Sequence, residues 1–452
     1  MELKKTENKF SKLKTSTTVR MLMVGFLILV LMIPLTYIKY LIIERANRQE
    51  SVINEINEKW GKEVLLYGPI LKIPYKTYNK IIYNKGKKNE YTETEETINH
   101  GYFFPEKLKT NTTINPEKKH RGIYTTAVYK TSMNIKGSFK KPDFTSKEVK
   151  DKDILWDKAK IIINTSNLKG INDEVTIKMN KNTYSFMPKY KAKSNQYSTE
   201  LVLHKLESNK IGIDDMPNKN STAFEINISI NGSESVRIVP IGKETTMNVK
   251  SNWNDKSFIG NYLPYEKGET KTSFDAKWKV LQINRPFSQQ FFNEIPNLTE
   301  FAFGVNFMIP VDQYQQSERS AKYGYLVISL TFLIFFLIQS LSKINIHPFQ
   351  YLMIGLALTM FYTLLISISE HSNFLNAYLI ASIAVIGLIT LYSKSILKTL
   401  KFTTFVMISL TSLYTFIYII IQLENYALLV GSIGLFIILG SVMYASRKID
   451  WN

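Results

Sequence analysis

The chain contains no cysteine in its 452 residues. That absence excludes disulfides, thiolate metal centres and a cysteine nucleophile. It does not assign a compartment, because a sufficient apolar core makes disulfides dispensable. Histidine is scarce as well. The five histidines, at positions 100, 120, 204, 347 and 371, show no paired metal-ligand spacing. The His-Glu-x-x-His, phosphate-loop, dinucleotide and Gly-x-Ser-x-Gly patterns are all missing. The one Asp-Asp pair of the long middle segment, Asp214-Asp215 in "GIDDMPN", reads as a loop. No catalytic set, cofactor or metal follows from these residues.

Acidic side chains are also in deficit, with 38 Asp and Glu against 57 Lys and Arg and a formal charge of +19. A balance this basic invites a nucleic-acid reading. Its distribution argues otherwise, because the charge avoids six long apolar runs. A membrane-spanning helix needs about 20 apolar residues, and 19–38, 323–341, 348–369, 374–392, 402–422 and 426–446 each supply such a run. Between their ends no Asp, Glu, Lys or Arg stands at mid-membrane depth. Ion-coupled transporters and proton relays usually place such groups there. Small and hydroxyl residues such as Gly355, Ala357, Thr359, Thr363, Ser367, Gly431, Gly434 and Gly440 suit close helix packing.

Lys and Arg flank alternate ends of the runs. Lys4, Lys5, Lys9, Lys12, Lys14 and Arg20 precede the first. Lys343, then Lys394, Lys398 and Lys401, then Arg447 and Lys448 follow on the same side, with Lys39 alone on the other. The positive-inside rule then predicts five segments: a basic cytoplasmic N-terminus 1–18, an anchor helix 19–43, an extracytoplasmic domain 44–322, a five-helix bundle 323–446 and a cytoplasmic C-terminus 447–452. The first run is too long for a signal-peptide core and lacks a small-residue cleavage pattern, so it reads as an uncleaved anchor. Segment 44–322 holds 44 basic and 33 acidic residues, a net +11 that reads as a solvated lysine-rich surface, with attraction to anionic lipid or envelope polymer as the alternative.

Within that segment Ile43, Ala46, Val52, Ile53, Ile56 and Trp60 recur at helical spacing, and Gly61 suits a left-handed cap. The expectation is a stalk helix continuing the anchor. "VLLYGPILKIPY" then predicts two short strands with Gly68-Pro69 as the turn and Pro74 as the close. Period-2 patterns follow at 122–139, 159–166, 175–187 and 222–242, with Asn231-Gly232 as a hairpin signal. Together these predict a β-rich, antiparallel sandwich-like domain between spans 1 and 2 of a six-span α-helical membrane protein. The patch 84–97, "NKGKKNEYTETEET", reads as a loop. Sequons at Asn111, Asn227 and Asn297 are expected by chance in a chain so rich in Asn, Ser and Thr.

Five residues stand out as candidates for interaction. Glu370 and His371 form a polar pair at the outer mouth between spans 3 and 4. Trp60 and Tyr75 flank the predicted β corner, and Trp253 lies in an aromatic turn. His347-Pro348 reads as a helix start in a cytoplasmic hairpin.

Several long stretches resemble one family. They are "ERANRQESVINEINEKWGKEVLLYGPILKIPY", "RGIYTTAVY", "SNWNDKSFIGNYLP" with "FDAKW", "PVDQYQQSERSAKYGYL", "IHPFQYLMIGLALTMFYTLLISISEH" and "LENYALLVGSIGLFIILGSVMY". In order and spacing the chain resembles the CreD family of bacterial inner-membrane proteins. The resemblance implies a cell-envelope integrity or envelope-stress component, expressed under a two-component regulator and associated with tolerance to colicins and wall-acting agents. It brings no enzymatic activity, cofactor or catalytic set. The expected partners are the lipid bilayer and an unidentified envelope component or membrane protein, not nucleic acid. The alternative function is a transporter or flippase for a lipid or wall precursor, with a polar path lined by Tyr362, Thr363, Ser367 and Ser369. A third is an envelope enzyme with its site in the β domain.

Overall fold

The computed structural model describes residues 17–83, 88, 90–189, 201–217, 221–307, 313–342, 344–423 and 426–447. Lys4, Lys5, Lys9, Lys12, Lys14, Lys343, Glu424 and Lys448, together with 84–87 and 89 of the predicted loop, lie outside the described residues. The chain divides into two compact units, residues 1–51 with 311–452 and residues 52–310.

Among the described residues, six helices are long and apolar enough to cross a membrane. The first, α1 (Thr17–Trp60), runs unbroken through the predicted anchor and stalk. A short helix that sequence reading missed, α2 (Gln313–Lys322), precedes the second span and buries Tyr314, Ser317, Ser320 and Ala321 along one face. The remaining spans are α3 (Gly324–Ser342), α4 (Pro348–Ser369), α5 (Phe374–Leu397), α6 (Leu400–Gln422) and α7 (Ala427–Ser446). Pro348 opens α4 and His347 caps it, its ring nitrogen accepting from Phe349 N–H at 3.3 Å.

The small residues differ in what they do. A Cβ on Gly355 would stand 2.0 Å from Leu31 Cδ1, so α4 needs this glycine to receive α1. Gly434 likewise accommodates the Phe416 ring, whereas nothing comes within 4 Å of the corresponding position at Gly440. The expectation of close packing holds at the first two and fails at Gly440. Aromatic rings fill the bundle centre, with Phe361 at 4.7 Å from Tyr414 and 5.3 Å from Tyr378 between ring centroids.

The other unit is strand-rich. In chain order the strands are β1 (Val64–Tyr83), β2 (Tyr91–Phe103), β3 (Lys107–Arg121), β4 (Tyr124–Phe139), β5 (Lys160–Thr165), β6 (Thr176–Met179), β7 (Asn182–Lys189) and β8 (His204–Ser208). They continue as β9 (Thr222–Ser233), β10 (Ser235–Ile238), β11 (Glu244–Ser251), β12 (Lys256–Gly260), β13 (Glu266–Glu269), β14 (Phe274–Leu281), β15 (Gln290–Phe292) and β16 (Phe303–Phe307). Hydrogen bonds connect them in the order β12-β16-β10-β1-β5-β8-β7-β6-β9-β4-β3-β11-β14-β13, with β2 on β1 and β15 on β2. Among the described residues, only β1–β10 and β3–β11 pair in parallel.

The path folds into two layers because β7 serves both. Its first half pairs with β6 and its second half, from Phe186, with β8. Inward side chains then meet across the layers. Tyr129 of β4 packs on Phe307 of β16 at 5.3 Å, and Trp278 of β14 on Phe303 at 5.9 Å. Alternation drives this, as in β9, whose residues alternate between buried and more exposed positions along most of its length.

Three local expectations are overturned. Gly68-Pro69 is not a turn between two strands. It is a bulge, where pairing with β5 shifts register between Tyr67 and Ile70, and β1 continues through Pro74 to Tyr83. Asn231-Gly232 is not a hairpin. Strand β9 runs straight through it because Gly232 lies opposite Tyr129, whose ring occupies the space a side chain would take. Glu234, with φ of 63°, makes the break into β10 instead. The patch 84–97 is not all loop, since Tyr91–Thr97 pairs residue by residue with Thr77–Tyr83. Threonine and tyrosine favour a pleated backbone even among many charges. The Tyr83–Tyr91 ring stack and the 2.8 Å Lys76–Glu96 ion pair hold the ribbon across its strands.

Candidate functional site

Adjacent strands in the order β2-β1-β5-β8-β7 bring an unusual set of charges together. Lys72 of β1 lies directly opposite Lys160 of β5, and Lys205 of β8 directly opposite Lys189 of β7. Directly opposed residues of an antiparallel pair project from the same face, and like charges there are destabilising. Glu207 of β8 offsets part of the repulsion. Its side chain is only 7% exposed and lies 3.5 Å from Lys72 Nζ, 3.4 Å from Lys160 Nζ and 3.2 Å from Lys205 Nζ. Beside it an open cleft of about 350 Å³ is lined by Lys160, Lys189, Lys210, Glu207 and the apolar pair Met187 and Pro188, among others.

Electrostatics follow from this crowding. Burial alone would raise the Glu207 carboxyl, but Lys72, Lys205 and Lys160 outweigh it and hold the group below the ordinary carboxylate value. The Lys72 ammonium is pushed down by burial, with Lys205 and Lys160 adding to the effect and Glu207 opposing it. His100 on β2 is lowered by burial and then by Lys72 and Lys205. Neighbouring lysines contribute to all three shifts, with burial the larger cause for Lys72 and His100.

A second constellation seats the end of α1 in the strand unit. The Trp60 indole N–H donates to the Tyr129 carbonyl at 3.4 Å, and Lys119 Nζ stands 4.9 Å above the Trp60 ring. Gly61, at φ of 106°, closes the helix through Gly61 N–H to Asn57 O at 2.9 Å. A Cβ there would collide with the Asn167 side chain, which itself bridges to Asn231 O at 2.8 Å. Glu55 pairs with Arg121 at the tip of β3, and that contact, followed by Lys59, pulls its carboxyl down to about 2. The corner after Trp60 is therefore a socket for a helix end.

The third lies in the membrane unit. Glu370 at the end of α4 accepts from the Tyr314 hydroxyl of α2 at 3.3 Å and pairs with Arg45 of α1 at 3.7 Å. Its side chain is 16% exposed. One carboxylate thus ties three helices, while His371 beside it is exposed.

Comparison with known proteins adds the decisive observation. The family model described as "Inner membrane protein CreD" matches residues 16–452. The chain belongs to the CreD family. It is also 27% identical over 426 residues to the inner membrane protein CreD of Escherichia coli (strain K12), covering 94% of this chain and 91% of that protein. With its six apolar helices, this CreD-family chain is a multi-pass inner membrane protein.

Among the five sequence candidates, the structure brings none into the lysine face of this CreD-family domain. Tyr75 is core, 2% exposed, with its ring 5.6 Å from Phe144 and its hydroxyl 3.3 Å from Asn293 Oδ1. Trp253 is half-buried against the core with Lys118 Nζ 5.8 Å from its ring. Asp215 is buried, and Asn180, Asn182 and Tyr184 all donate to its carboxylate. Of the residues expected to line a conduit, Tyr362 and Ser369 are buried, Thr363 is half-buried and Ser367 is exposed on another face of α4. Two clefts of about 560 and 720 Å³, one between α5 and α6 and one among α3, α6 and α7, are lined chiefly by hydrocarbon. Lys72, Lys160, Glu207, Lys189 and Lys210 escaped sequence reading because they are gathered from four strands and the segment just after β8. The available signal was the isolated lysine inside otherwise apolar strands, as in "LLYGPILKIPY" and "AKIII".

Proposed function

We propose that this CreD-family chain is a non-enzymatic envelope protein whose strand domain faces the extracytoplasmic side and binds an anionic envelope component, so helping to maintain envelope integrity or report stress. Both termini are cytoplasmic in this reading. The observation that carries it is the gathering of lysines on one face of the domain lying between the first and second spans. Basic residues at the opposite ends of the spans support the orientation.

The absence of native cysteine gives a clean test. Single substitutions Lys141→Cys in the strand domain and Lys401→Cys at the start of α6, both exposed, report sidedness to a membrane-impermeant maleimide. Labelling of the first but not the second in intact cells of a strain lacking an outer-membrane barrier is expected. The reverse pattern rejects the orientation. Saturable capture of an anionic envelope fraction by the full-length protein tests binding itself.

A transport reading draws on one observation. The buried Tyr362 and Tyr414 hydroxyls have no hydrogen-bond partner among the described residues. It predicts that Tyr362→Phe slows lipid or precursor translocation in proteoliposomes, and no dependence of translocation on the protein rejects it.

A further inference from the structure

The face formed by β1, β5, β8 and β7 has more positive charge than its fold requires. One buried carboxylate would be balanced by one lysine, yet Lys72, Lys160 and Lys205 all lie within 3.5 Å of Glu207. Lys189 stands opposite Lys205, and Lys189 and Lys210 line the adjoining cleft. Two directly opposed lysine pairs are an unfavourable arrangement that an anion would relieve.

The donor type narrows the anion. No arginine lines the cleft among the described residues. A planar carboxylate is best matched by the guanidinium fork, whereas lysines converging from several strands act as point charges that suit a tetrahedral group of high charge. A phosphomonoester carries about −1.5 to −2 at neutral pH on three acceptor oxygens. The cleft, at about 350 Å³, is at the small end of ligand pockets, and Met187 and Pro188 give it one apolar wall.

We propose that this cleft binds a multiply charged phosphoryl group, a phosphomonoester or pyrophosphate, with Lys160, Lys189 and Lys210 as its direct contacts. The ligand's envelope origin rests on the reading above; the cleft's chemistry does not.

The test is calorimetric titration of the detergent-solubilised full chain with inorganic pyrophosphate, inorganic phosphate and acetate. Saturable pyrophosphate binding, weaker phosphate binding and weaker acetate binding still are expected. Charge-assisted hydrogen bonds contribute enough that the triple variant K160Q/K189Q/K210Q should lose at least about tenfold in pyrophosphate affinity. Should that variant not fold, K189Q/K210Q removes two exposed lysines and should still weaken binding severalfold. Glu207→Gln, which removes a negative charge from the cleft wall, should tighten pyrophosphate binding, and weaker binding in that variant counts against the proposal. Absence of saturable binding by millimolar pyrophosphate, or equal affinity in wild type and the lysine variants, overturns the proposal. Displacement of pyrophosphate by short-chain phosphatidic acid more tightly than by inorganic phosphate assigns a lipid headgroup, and equal displacement assigns a free phosphoryl group. If maleimide labelling reverses the orientation while pyrophosphate still binds, only the envelope reading fails. If the orientation holds and pyrophosphate does not bind, only this proposal fails.

Discussion

Glu207 in the strand unit and Glu370 in the membrane unit are neutralised in opposite ways. Among the described residues, Glu370 has one cation, Arg45 at 3.7 Å, and one neutral donor, Tyr314 at 3.3 Å. Charge is matched there, and the result is a tie between helices α1, α2 and α4. Glu207 is overwhelmed by three lysines, with two more beside the cleft. A matched carboxylate is explained by the architecture it holds. A carboxylate outnumbered by cations leaves a surplus that the architecture does not use, and such a surplus is where a ligand is to be sought.

The comparison breaks if the two carboxylates prove equivalent. The largest effect is expected for Glu207→Leu, which leaves three crowded ammonium groups without a counter-charge. Because those lysines retain partial contact with water, we expect a loss of about 2–3 kcal/mol in the stability of the strand unit, less than for a fully buried pair. Denaturant unfolding of the full chain followed by β-sheet circular dichroism measures it, and the loss should shrink as salt screens the lysines. Glu370→Gln keeps the Tyr314 contact and removes one partly exposed pair, so about 0.5–1 kcal/mol is expected, read as a lowered melting temperature of the helical signal. Equal losses for the two variants would sink the distinction between a site and a tie.

How much of this was legible in the sequence depended on the range of the interactions. The spans were readable because a bilayer imposes a length and a composition on every residue of a helix. The α1 stalk and its end at Gly61 were readable for a similar local reason, helical spacing followed by a glycine cap. Strands β4 and β9 announced themselves by alternation, but β3 did not. Its inward positions Leu108, Thr110, Thr112 and Ile114 include two threonines buried at 1% and 2%, which count as polar in any pattern search. Gly232 was misread because the ring that demands a glycine there comes from Tyr129, more than a hundred positions earlier. The lysine face was hidden for the same reason, since Lys72 and Glu207 meet only after the strand order β1-β5-β8 is formed. Helix α2 is short and polar on average, and only its buried Tyr314, Ser317, Ser320 and Ala321 face betrays it.

The smallest effect concerns Glu55, and it sharpens the contrast between a carboxylate set in a charge surplus and one in a simple clasp. Arg121 first, and Lys59 second, lower its carboxyl from the ordinary 4.5 to about 2. A group depressed in the folded state stabilises the fold fully above its unfolded value, and that contribution disappears as pH falls through the folded value. The melting temperature of Glu55→Gln should therefore lie below wild type by a constant margin above about pH 5, and the two should converge as pH falls from 4.5 toward 2. Glu55 is solvent-exposed, so added salt should narrow the margin at neutral pH. A margin that persists unchanged at pH 2 would mean that Glu55 holds the helix end by packing, and that its ion pair with Arg121 contributes nothing measurable to the socket around Trp60.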